Sequence, residues 1–158
     1  MSRRFAQVDV VGSGPCSGNP VAVVLAVEWV DNGFSWIAVL LESAGRVLEL
    51  QPGSLDFDLG AVGFHPPGAE AAIEVRAFFP ISGVAAEDPV TGSLNAGIAQ
   101  WLIGSGRLEA PYVANQGTAI GRAGRIRVDQ DDDGAIWVGG RCETVINGVA
   151  SFDHDEDS

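Results

Sequence analysis

The chain has 158 residues, and 46% of them are hydrophobic, which is enough for a single domain with its own core. The net charge is -12 and all nine basic residues are arginine, so the sequence excludes a catalytic or phosphate-binding lysine and disfavours nucleic acid as a partner. No apolar run approaches the roughly twenty residues of a membrane span, and the N-terminus lacks the apolar segment of a signal peptide, so we expect a cytoplasmic protein that does not bind membranes.

The first part of the chain contains three predicted strands and one segment that is either a strand or a short helix. Phe5 to Val10 alternates weakly between apolar and polar residues, which predicts a strand, and a turn-rich loop follows over Gly12 to Pro20. Val21 to Val27 is almost wholly apolar and β-branched, which indicates a buried strand or a short buried helix. Trp36 to Leu41 and Val47 to Leu50 are predicted to form a hairpin joined by a short turn.

Further short strands are predicted in the rest of the chain. Gly60 to Gly68 contains two consecutive prolines and is expected to be an irregular connection, whereas Glu74 to Phe79 alternates as a strand does. Ile126 to Val128 and Ile136 to Val138 flank an acidic turn that contains glycine, the pattern of a hairpin. Val145 to Val149 is predicted to be a last short strand.

One helix is predicted, over Leu94 to Ile103. Hydroxyl side chains precede it, and the glycines of Gly104 to Gly106 end it. Because its residues are apolar on almost every side, we expect the helix to be buried all round, with Ile98 and Trp101 in the core. A single buried helix among many short strands predicts an α+β fold, in which a mixed, mostly antiparallel sheet is curled as a barrel around one central helix.

Neither the acidic residues nor the cysteines indicate a metal site. Asp129 to Asp133 lacks the glutamate that completes a calcium-binding loop, so we expect a solvated turn there, and residues 153–158 are expected to form an acidic disordered tail. Cys16 and Cys142 lack the spacing of metal ligands. A disulfide between them is possible but not expected in a reducing compartment.

The segment Glu87 to Ser93 (Glu-Asp-Pro-Val-Thr-Gly-Ser) carries the strongest chemical signal. Backbone N–H groups at a helix N-terminus lack intrahelical partners and the helix dipole adds positive potential, so this end of the predicted helix suits a carboxylate. Gly92 allows a ligand to approach the backbone closely, and Asp88 offers a carboxylate that can exchange a proton with it. Taken alone, the pattern favours the simpler interpretation that Asp88 and Ser93 only cap the helix.

Two other motifs indicate turns when each is considered by itself. Gln116-Gly117, followed by Gly121 to Arg125, is a glycine-rich stretch whose simplest interpretation is a tight turn with two solvated arginines. Gly18 to Pro20, with the sequence Gly-Asn-Pro, is a turn by default.

The order of these motifs along the chain resembles the phenazine biosynthesis (PhzF-like) protein family. The matching features are the strand Phe5 to Val10, the Gly-Asn-Pro turn with the apolar strand after it, the segment Glu87 to Ser93 and the glycine-rich stretch after Gln116. The resemblance covers about residues 3 to 27 and about residues 34 to 150, and the Glu-Asp-Pro-Val-Thr-Gly-Ser segment is its most specific part.

This resemblance implies a diaminopimelate-epimerase-like fold, in which two similar lobes each wrap a sheet around a central helix and the active site lies in the cleft between them. Members of the family typically shift a proton along a small carboxylate-bearing molecule without a metal or an organic cofactor. The resemblance makes Leu94 to Ile103 the central helix of a second lobe and Asp88 its catalytic residue. The substrate-binding residues that it implies are Thr91, Gly92, Ser93 and Gly117.

The sequence departs from the family pattern in its first lobe. Family chains are close to twice as long and carry a Leu-Ser-Glu-Thr-like segment, whose Glu is the principal acid–base residue, and a Gly-His-Pro turn. Glu28 and His65 have neighbours that match neither motif, so we assign them neither role. We therefore expect one PhzF-like lobe over residues 1–152, made of opening strands (1–27) retained from the first lobe and a second lobe (34–150).

Three functions remain open at this stage. The chain is a cofactor-independent isomerase of biosynthesis that uses Asp88, a related non-redox enzyme such as a cyclase whose pocket shapes its substrate, or a non-catalytic binding or scaffold protein. In each case the expected ligand is a small carboxylate-bearing molecule. Because the absence of a first lobe would expose an apolar face, we also expect a homodimer with the cleft between its subunits.

Overall fold

The computed structural model describes residues 24–149, and within this range eight strands form one curved sheet. Two α-helices lie against the sheet, α1 (Ala44–Glu49) and α2 (Gly92–Gly104), and a short 3-10 turn covers Thr118–Ile120. The strands are β1 (Val24–Asp31), β2 (Ser35–Leu41), β3 (Leu59–Phe64), β4 (Ile73–Ile81), β5 (Val84–Asp88), β6 (Tyr112–Gln116), β7 (Gly124–Gln130) and β8 (Ile136–Gly139).

The sheet has the order β1-β2-β3-β4-β6-β7-β8, with β5 paired to β4. Only the β2–β3 and β4–β6 pairs are parallel among the described strands, which confirms the predicted mixed, mostly antiparallel sheet. One edge of β4 pairs with β6 over Ile73 to Val75 and with β5 over Ala77 to Ile81. The ends of β5 and β6 therefore meet on the same edge of β4, beside Arg76.

Helix α2 lies in the concave side of the sheet and contacts strands from both ends of the strand order, β1 and β8. The sheet thus curls around it as a half-barrel, as predicted. Gly97 allows the close approach to β1, because a Cβ atom there would lie 2.8 Å from Cβ of Val30. Trp101 differs from the prediction in being only half-buried. The helix does bury three large aliphatic side chains completely: Leu94, Ile98 and Leu102.

The predicted hairpin of Trp36 to Leu41 with Val47 to Leu50 is wrong. The first segment lies in β2, but the chain then forms helix α1, which starts where the Ser43 hydroxyl accepts the backbone N–H of Arg46 at 3.3 Å. Ala44 and Val47, three residues apart, are both buried where α1 packs on β3 and β4. Side-chain burial at helical spacing has therefore overridden the β-branched residues of this short segment.

The expectation of an irregular connection over Gly60 to Gly68 is wrong for its first residues, which form β3. Glycine lowers strand propensity, yet both glycines of this strand permit close packing. A Cβ atom at Gly60 would lie 2.4 Å from Cδ1 of Leu94, and one at Gly63 would lie 2.4 Å from the carbonyl oxygen of Ser43. The two glycines therefore let α2 and α1 approach opposite faces of the same strand.

The acidic hairpin is confirmed as β7 and β8. The Asp131 carboxylate organises its turn by accepting the backbone N–H groups of Asp133 and Ala135 and the indole N–H of Trp137, at 3.1, 2.8 and 2.8 Å. The structure therefore gives this aspartate a role in the turn. Val145 to Val149 is irregular and exposed rather than a strand, so that prediction is wrong.

The prediction for Val21 to Val27 is confirmed as a strand from Val24 onward but is wrong about burial. Leu25 is 53% exposed and Val27 is 38% exposed in the part of the chain that is described. The predictions for Phe5 to Val10, for Gly12 to Pro20 and for residues 153–158 lie outside the described residues. Within residues 24–149, no helix has the length and apolar character that crossing a membrane requires.

Candidate functional site

The site predicted from the sequence lies where β5 ends and α2 begins, at the mouth of the half-barrel. Asp88 is the last residue of β5, and Thr91 is the residue that precedes the first turn of α2. The hydroxyl of Thr91 donates to Oδ2 of Asp88 at 2.6 Å. This bond holds one carboxylate oxygen of Asp88 next to the helix N-terminus.

Gln116, at the end of β6, fixes the loop between Asp88 and Thr91. Its side chain is fully buried, and its Nε2 donates to the carbonyl oxygen of Asp88 and to the Thr91 hydroxyl, both at 2.9 Å. Its Oε1 accepts the backbone N–H of Thr91 at 3.1 Å and Nδ2 of Asn95 at 2.7 Å. Both donors and both lone pairs of the amide are therefore used, and these bonds tie the loop to the end of β6.

The N-terminus of α2 has no side-chain cap. The Thr91 hydroxyl is directed to Asp88 instead, and the Ser93 hydroxyl accepts the indole N–H of Trp36 at 3.2 Å. Gly92 is exposed, and no atom lies within 4 Å of the position that its Cβ would take. Among the described residues, neither Asp88 nor Ser93 caps the helix, so the simpler interpretation of this segment is wrong and the first turn of α2 has no side-chain acceptor for its N–H groups.

Gly117 lies behind the loop. It has a φ of 84°, in the left-handed region that favours glycine, and it is buried against the loop backbone. A Cβ atom at this position would lie 2.7 Å from the carbonyl oxygen of Pro89. The structure therefore gives Gly117 a packing role, while its contact with a ligand stays a prediction.

On the convex face of the sheet, the Arg76 side chain holds the end of β5 in place through hydrogen bonds. Its guanidinium binds the Glu87 carboxylate through two hydrogen bonds, Nε to Oε1 at 3.0 Å and Nη2 to Oε2 at 2.7 Å. Its Nη1 donates to the carbonyl oxygens of Val47 and Leu50, at 3.1 and 2.6 Å, where α1 ends. Only 7% of the Arg76 side chain and 8% of the Glu87 side chain are exposed. This buried pair joins α1 to the strand that carries Asp88.

On the concave face, Asp88 lies in a cleft of about 350 Å³ formed at the ends of adjacent strands. The rings of Phe34 and Trp36, which lie in this cleft, have centroids 5.8 Å apart and are tilted by 48°. Within residues 24–149, no ion pair involves either of its two carboxylates, those of Asp58 and Asp88. We call this the aromatic cleft, and it is lined by Phe34, Trp36, Asp58, Phe79, Pro80 and Asp88.

On the other side of the loop lies a hollow of about 630 Å³ that contains Gly92 and two arginines, Arg125 and Arg141. Arg125 contacts Asn115 and, at 3.4 Å, Glu70. The two sides of the loop thus differ in charge, because the aromatic cleft is acidic and this arginine hollow contains two guanidinium groups beside the open helix N-terminus.

A larger hollow of about 690 Å³ lies between the loop that follows β3 and the start of β6. It shares no lining residue with the aromatic cleft or the arginine hollow. Its histidine, His65, lies 3.1 Å from the buried carboxylate of Glu74 and has no contact with the site around Asp88. The structure thus agrees with assigning His65 no part in that site.

Sequence reasoning missed most of the residues that support Asp88. Asn95 is an amide in the first turn of an otherwise apolar helix, and Arg76 is a charged residue within an apolar strand. A polar side chain in such a segment indicates that it is buried and hydrogen-bonded, so both residues could have been found from the sequence. Trp36 was predicted only as part of a strand. Asp58 carried no signal, because it lies in a polar loop and reaches the cleft only through the parallel pairing of β2 with β3.

Comparisons with known proteins agree with this architecture. The sequence model of the phenazine biosynthesis-like protein family (PhzC-PhzF) matches residues 25–148. The crystal structure of a Bacillus anthracis phenazine biosynthesis protein of the PhzF family is similar over 72% of this chain, with a TM-score of 0.57 and 14% sequence identity. At that identity the likeness establishes the fold alone, and this chain spans 44% of the length of that protein. No curated protein sequence matches the chain.

Proposed function

Because the chain belongs to the phenazine biosynthesis-like family, we propose that it is an isomerase-type protein that acts on a small carboxylate-bearing metabolite, with Asp88 as its proton-transferring group. Membership of the family supports an isomerase-like activity. The observation that carries the proposal for this chain is the uncapped N-terminus of α2 beside Asp88, since the hydroxyl that normally caps a helix binds the Asp88 carboxylate instead.

In the proposed reaction, the carboxylate of the ligand binds the backbone N–H groups of Gly92 and Ser93. The helix N-terminus stabilises the additional negative charge that forms on this carboxylate when a neighbouring C–H bond loses its proton. Asp88 accepts that proton through the oxygen that Thr91 leaves free, and it returns the proton to another carbon of the same molecule. No net gain or loss of atoms results, so the overall reaction is an isomerisation.

We further propose that a second copy of the chain closes the cleft. The chain spans 44% of the length of the Bacillus anthracis protein, and two large apolar side chains flank the loop, with Phe34 53% and Val90 48% exposed. An interface that covers them would bury apolar surface and exclude water from Asp88. A two-fold axis at the cleft would place two copies of Asp88 opposite each other and supply two carboxylates for the proton transfer.

Sedimentation equilibrium at micromolar concentration tests the proposed assembly. We expect about twice the monomer mass of 16.4 kDa, and a Phe34→Asp variant should shift the equilibrium toward monomer. A wild-type mass that stays at that of the monomer at all concentrations rejects the dimer. A dimer that Phe34→Asp does not affect places the interface elsewhere and rejects the shared cleft.

Hydrogen exchange into candidate ligands tests the proposed chemistry without knowledge of the natural substrate. Small unsaturated and hydroxylated carboxylic acids are incubated with the protein in D2O, and deuterium at carbon is measured by NMR and mass spectrometry. We expect exchange with the wild-type protein, no exchange with Asp88→Asn and unchanged exchange with Asp132→Asn, which removes the same charge from an exposed turn. Equal exchange by the two variants would show that Asp88 is not the proton-transferring group.

A second candidate function is non-catalytic binding of the same ligand class, and one specific observation favours it. The chain contains no match to the family segment that bears the principal acid–base glutamate. Carboxylates that shift the amide resonances of Gly92 and Ser93 without any exchange at carbon would support binding over isomerisation. Ring closure of a ligand without exchange would support a cyclase.

A further inference from the structure

We infer that the aromatic cleft binds a small organic cation, such as a quaternary ammonium group or a protonated amine. The cleft has a volume of about 350 Å³, close to the lower end of the roughly 300–1,000 Å³ typical of ligand pockets, so it suits one compact chemical group. Its lining combines carboxylates with aromatic rings and, among the residues that are described, includes no basic side chain.

Among residues 24–149, no basic side chain pairs with the two carboxylates of the cleft. Asp88 accepts one side-chain hydrogen bond from the described part of the chain, that of the neutral Thr91 hydroxyl, which does not neutralise its charge. No side-chain hydrogen bond or ion pair is formed by the Asp58 carboxylate within the described range, and its backbone carbonyl is engaged separately by the N–H of Ile37. Two unpaired negative charges in one small concavity attract a cation, and the net charge of -12 adds to this potential.

The rings select an organic cation over a metal ion. Trp36 is 4% exposed and its indole N–H is fixed by the Ser93 hydroxyl at 3.2 Å, so the ring has a fixed orientation. Phe34, tilted against it, and Phe79 add two further aromatic surfaces. Aromatic faces attract alkylammonium groups through the ring quadrupole and offer no oxygen ligands to a hard metal ion. The described residues also contain no group of three metal-binding side chains here.

This inference goes beyond the proposed function and does not depend on it. The proposed carboxylate site uses the backbone of Gly92 and Ser93, whereas the cation site uses Asp58 and the aromatic rings. Asp88 is shared, but a cation binds in the cleft whether or not Asp88 transfers a proton. The two ideas therefore fail separately, because Asp58→Asn should weaken cation binding without removing any group of the proposed carboxylate site, and choline has no carboxylate that could bind the amides of Gly92 and Ser93.

The test is an NMR titration with choline, followed at the indole N–H of Trp36. The matched probe is 3,3-dimethylbutan-1-ol, which has the shape of choline without its charge. We expect saturable shifts of the Trp36 resonance with choline and binding of the neutral probe that is about tenfold weaker or undetectable. Equal affinities for the two probes would overturn the inference, as would a preference for Ca²⁺ over choline at the same resonance.

Two aspartates of one loop provide the matched variants. Asp58→Asn removes a carboxylate from the cleft, whereas Asp56→Asn removes the same charge from an exposed position two residues away. We expect Asp58→Asn to weaken choline binding about fivefold or more and Asp56→Asn to leave it unchanged, with the ¹⁵N spectrum of each variant confirming the fold. Phe34→Leu, at an exposed ring, should weaken binding too. An equal loss in Asp56→Asn and Asp58→Asn would overturn the inference, because it would show a long-range charge effect without a site.

Discussion

Glu87 and Asp88 are neighbours on β5, but their carboxylates have opposite surroundings. Glu87 lies on the convex face, where both of its oxygens are bound by the buried guanidinium of Arg76 at 3.0 and 2.7 Å. Asp88 lies on the concave face, in the aromatic cleft, and accepts one hydrogen bond from the Thr91 hydroxyl. Successive side chains of a strand point to opposite faces, so one step along the chain separates a carboxylate paired with arginine from one that forms no ion pair within residues 24–149.

This difference shows how the backbone at the end of a strand can be held rigidly while a carboxylate on it stays available for chemistry. The Arg76–Glu87 pair joins the end of β5 to the last carbonyl groups of α1, so it fixes the backbone that carries Asp88. The Asp88 side chain is left free of any basic partner in the described part of the chain. A proton-transferring group gains from this division, because its position is held by other residues while its own charge stays unneutralised.

Breaking the buried pair should have the largest effect. Arg76→Met leaves the Glu87 carboxylate buried without a countercharge and leaves the carbonyl groups at the end of α1 without a donor. We expect the free energy of unfolding to fall by about 3–5 kcal/mol, the usual cost of removing one partner of a buried ion pair. Urea denaturation measures this loss, and the Arg76→Met/Glu87→Met double variant should recover part of it.

The matched control is Arg127→Met, which removes the arginine of an exposed pair of similar geometry. Arg127 binds both oxygens of Asp129, through Nε at 2.6 Å and Nη2 at 3.0 Å, but both side chains are in water. Exposed pairs contribute little because solvent screens them, so this variant should unfold at nearly the wild-type urea concentration. If Arg76→Met is no more destabilising than Arg127→Met, the buried pair is not what holds β5.

The sequence predicted the half-barrel well because its strongest signals are global ones. An apolar helix and many short strands can bury their apolar surfaces in only a few arrangements, and the family resemblance identified one of these arrangements. Local predictions failed where tertiary contacts decide the outcome. Strand β3 contains Gly60 and Gly63, which only close packing explains, and α1 depends on a capping serine and on Arg76 from a distant strand.

The candidate site was predicted only where its residues lie close together in the sequence. Asp88, Thr91, Gly92 and Ser93 are consecutive or nearly so, and the helix start that they precede is visible in the sequence. The residues that complete the site come from distant positions and meet through the sheet. Gln116 reaches the loop because β5 and β6 share one edge of β4, and no local pattern contains that information.

The next largest effect should come from Gly117, which supports the Asp88 loop from behind. Gly117→Ala places a side chain at a φ of 84° and a Cβ atom 2.7 Å from the carbonyl oxygen of Pro89. We expect a loss of about 1–3 kcal/mol in the free energy of unfolding from the backbone strain and an additional displacement of the loop. Shifts of the amide resonances between Asp88 and Ser93 would report that displacement.

Gly134→Ala is the matched control for backbone strain. Gly134 has the same φ of 84° but lies in the exposed turn between β7 and β8, where the nearest atom to a new Cβ is 3.9 Å away. Its cost should be the strain alone, without any change at the loop. Equal losses in the two variants, with no shift of the loop amides in Gly117→Ala, would mean that the contact with Pro89 does not position Asp88.

Removing the unpaired charge itself should have a smaller effect on stability. Asp88→Asn keeps an oxygen that can accept the Thr91 hydroxyl, and no basic group in the described range loses its partner. We expect the free energy of unfolding to change by less than about 1 kcal/mol. Glu87→Gln, the same type of change one residue earlier, should approach the cost of Arg76→Met because it leaves a buried guanidinium without its countercharge. Thermal and urea denaturation of this adjacent pair compare the two faces directly, and equal losses would contradict the distinction between them.

A third carboxylate, that of Asp131, gives the smallest but most direct test of how hydrogen bonds alone affect an aspartate. The indole N–H of Trp137 and the backbone N–H groups of Ala135 and Asp133 hold the pKa of Asp131 below its usual range, since they stabilise the charged form. A lowered pKa in the folded protein means that this contribution to stability is present above the unfolded pKa and is lost as the pH falls through the folded pKa.

We therefore expect the indole resonance of Trp137 to titrate with a midpoint below about 3.9, the usual value for aspartate, while the backbone amides of the β7–β8 turn move with it. A midpoint for Trp137 at or above about 3.9 would show that the hydrogen bonds do not favour the charged form of Asp131, and the geometry of the turn would then be set by Gly134 and the strand pairing alone.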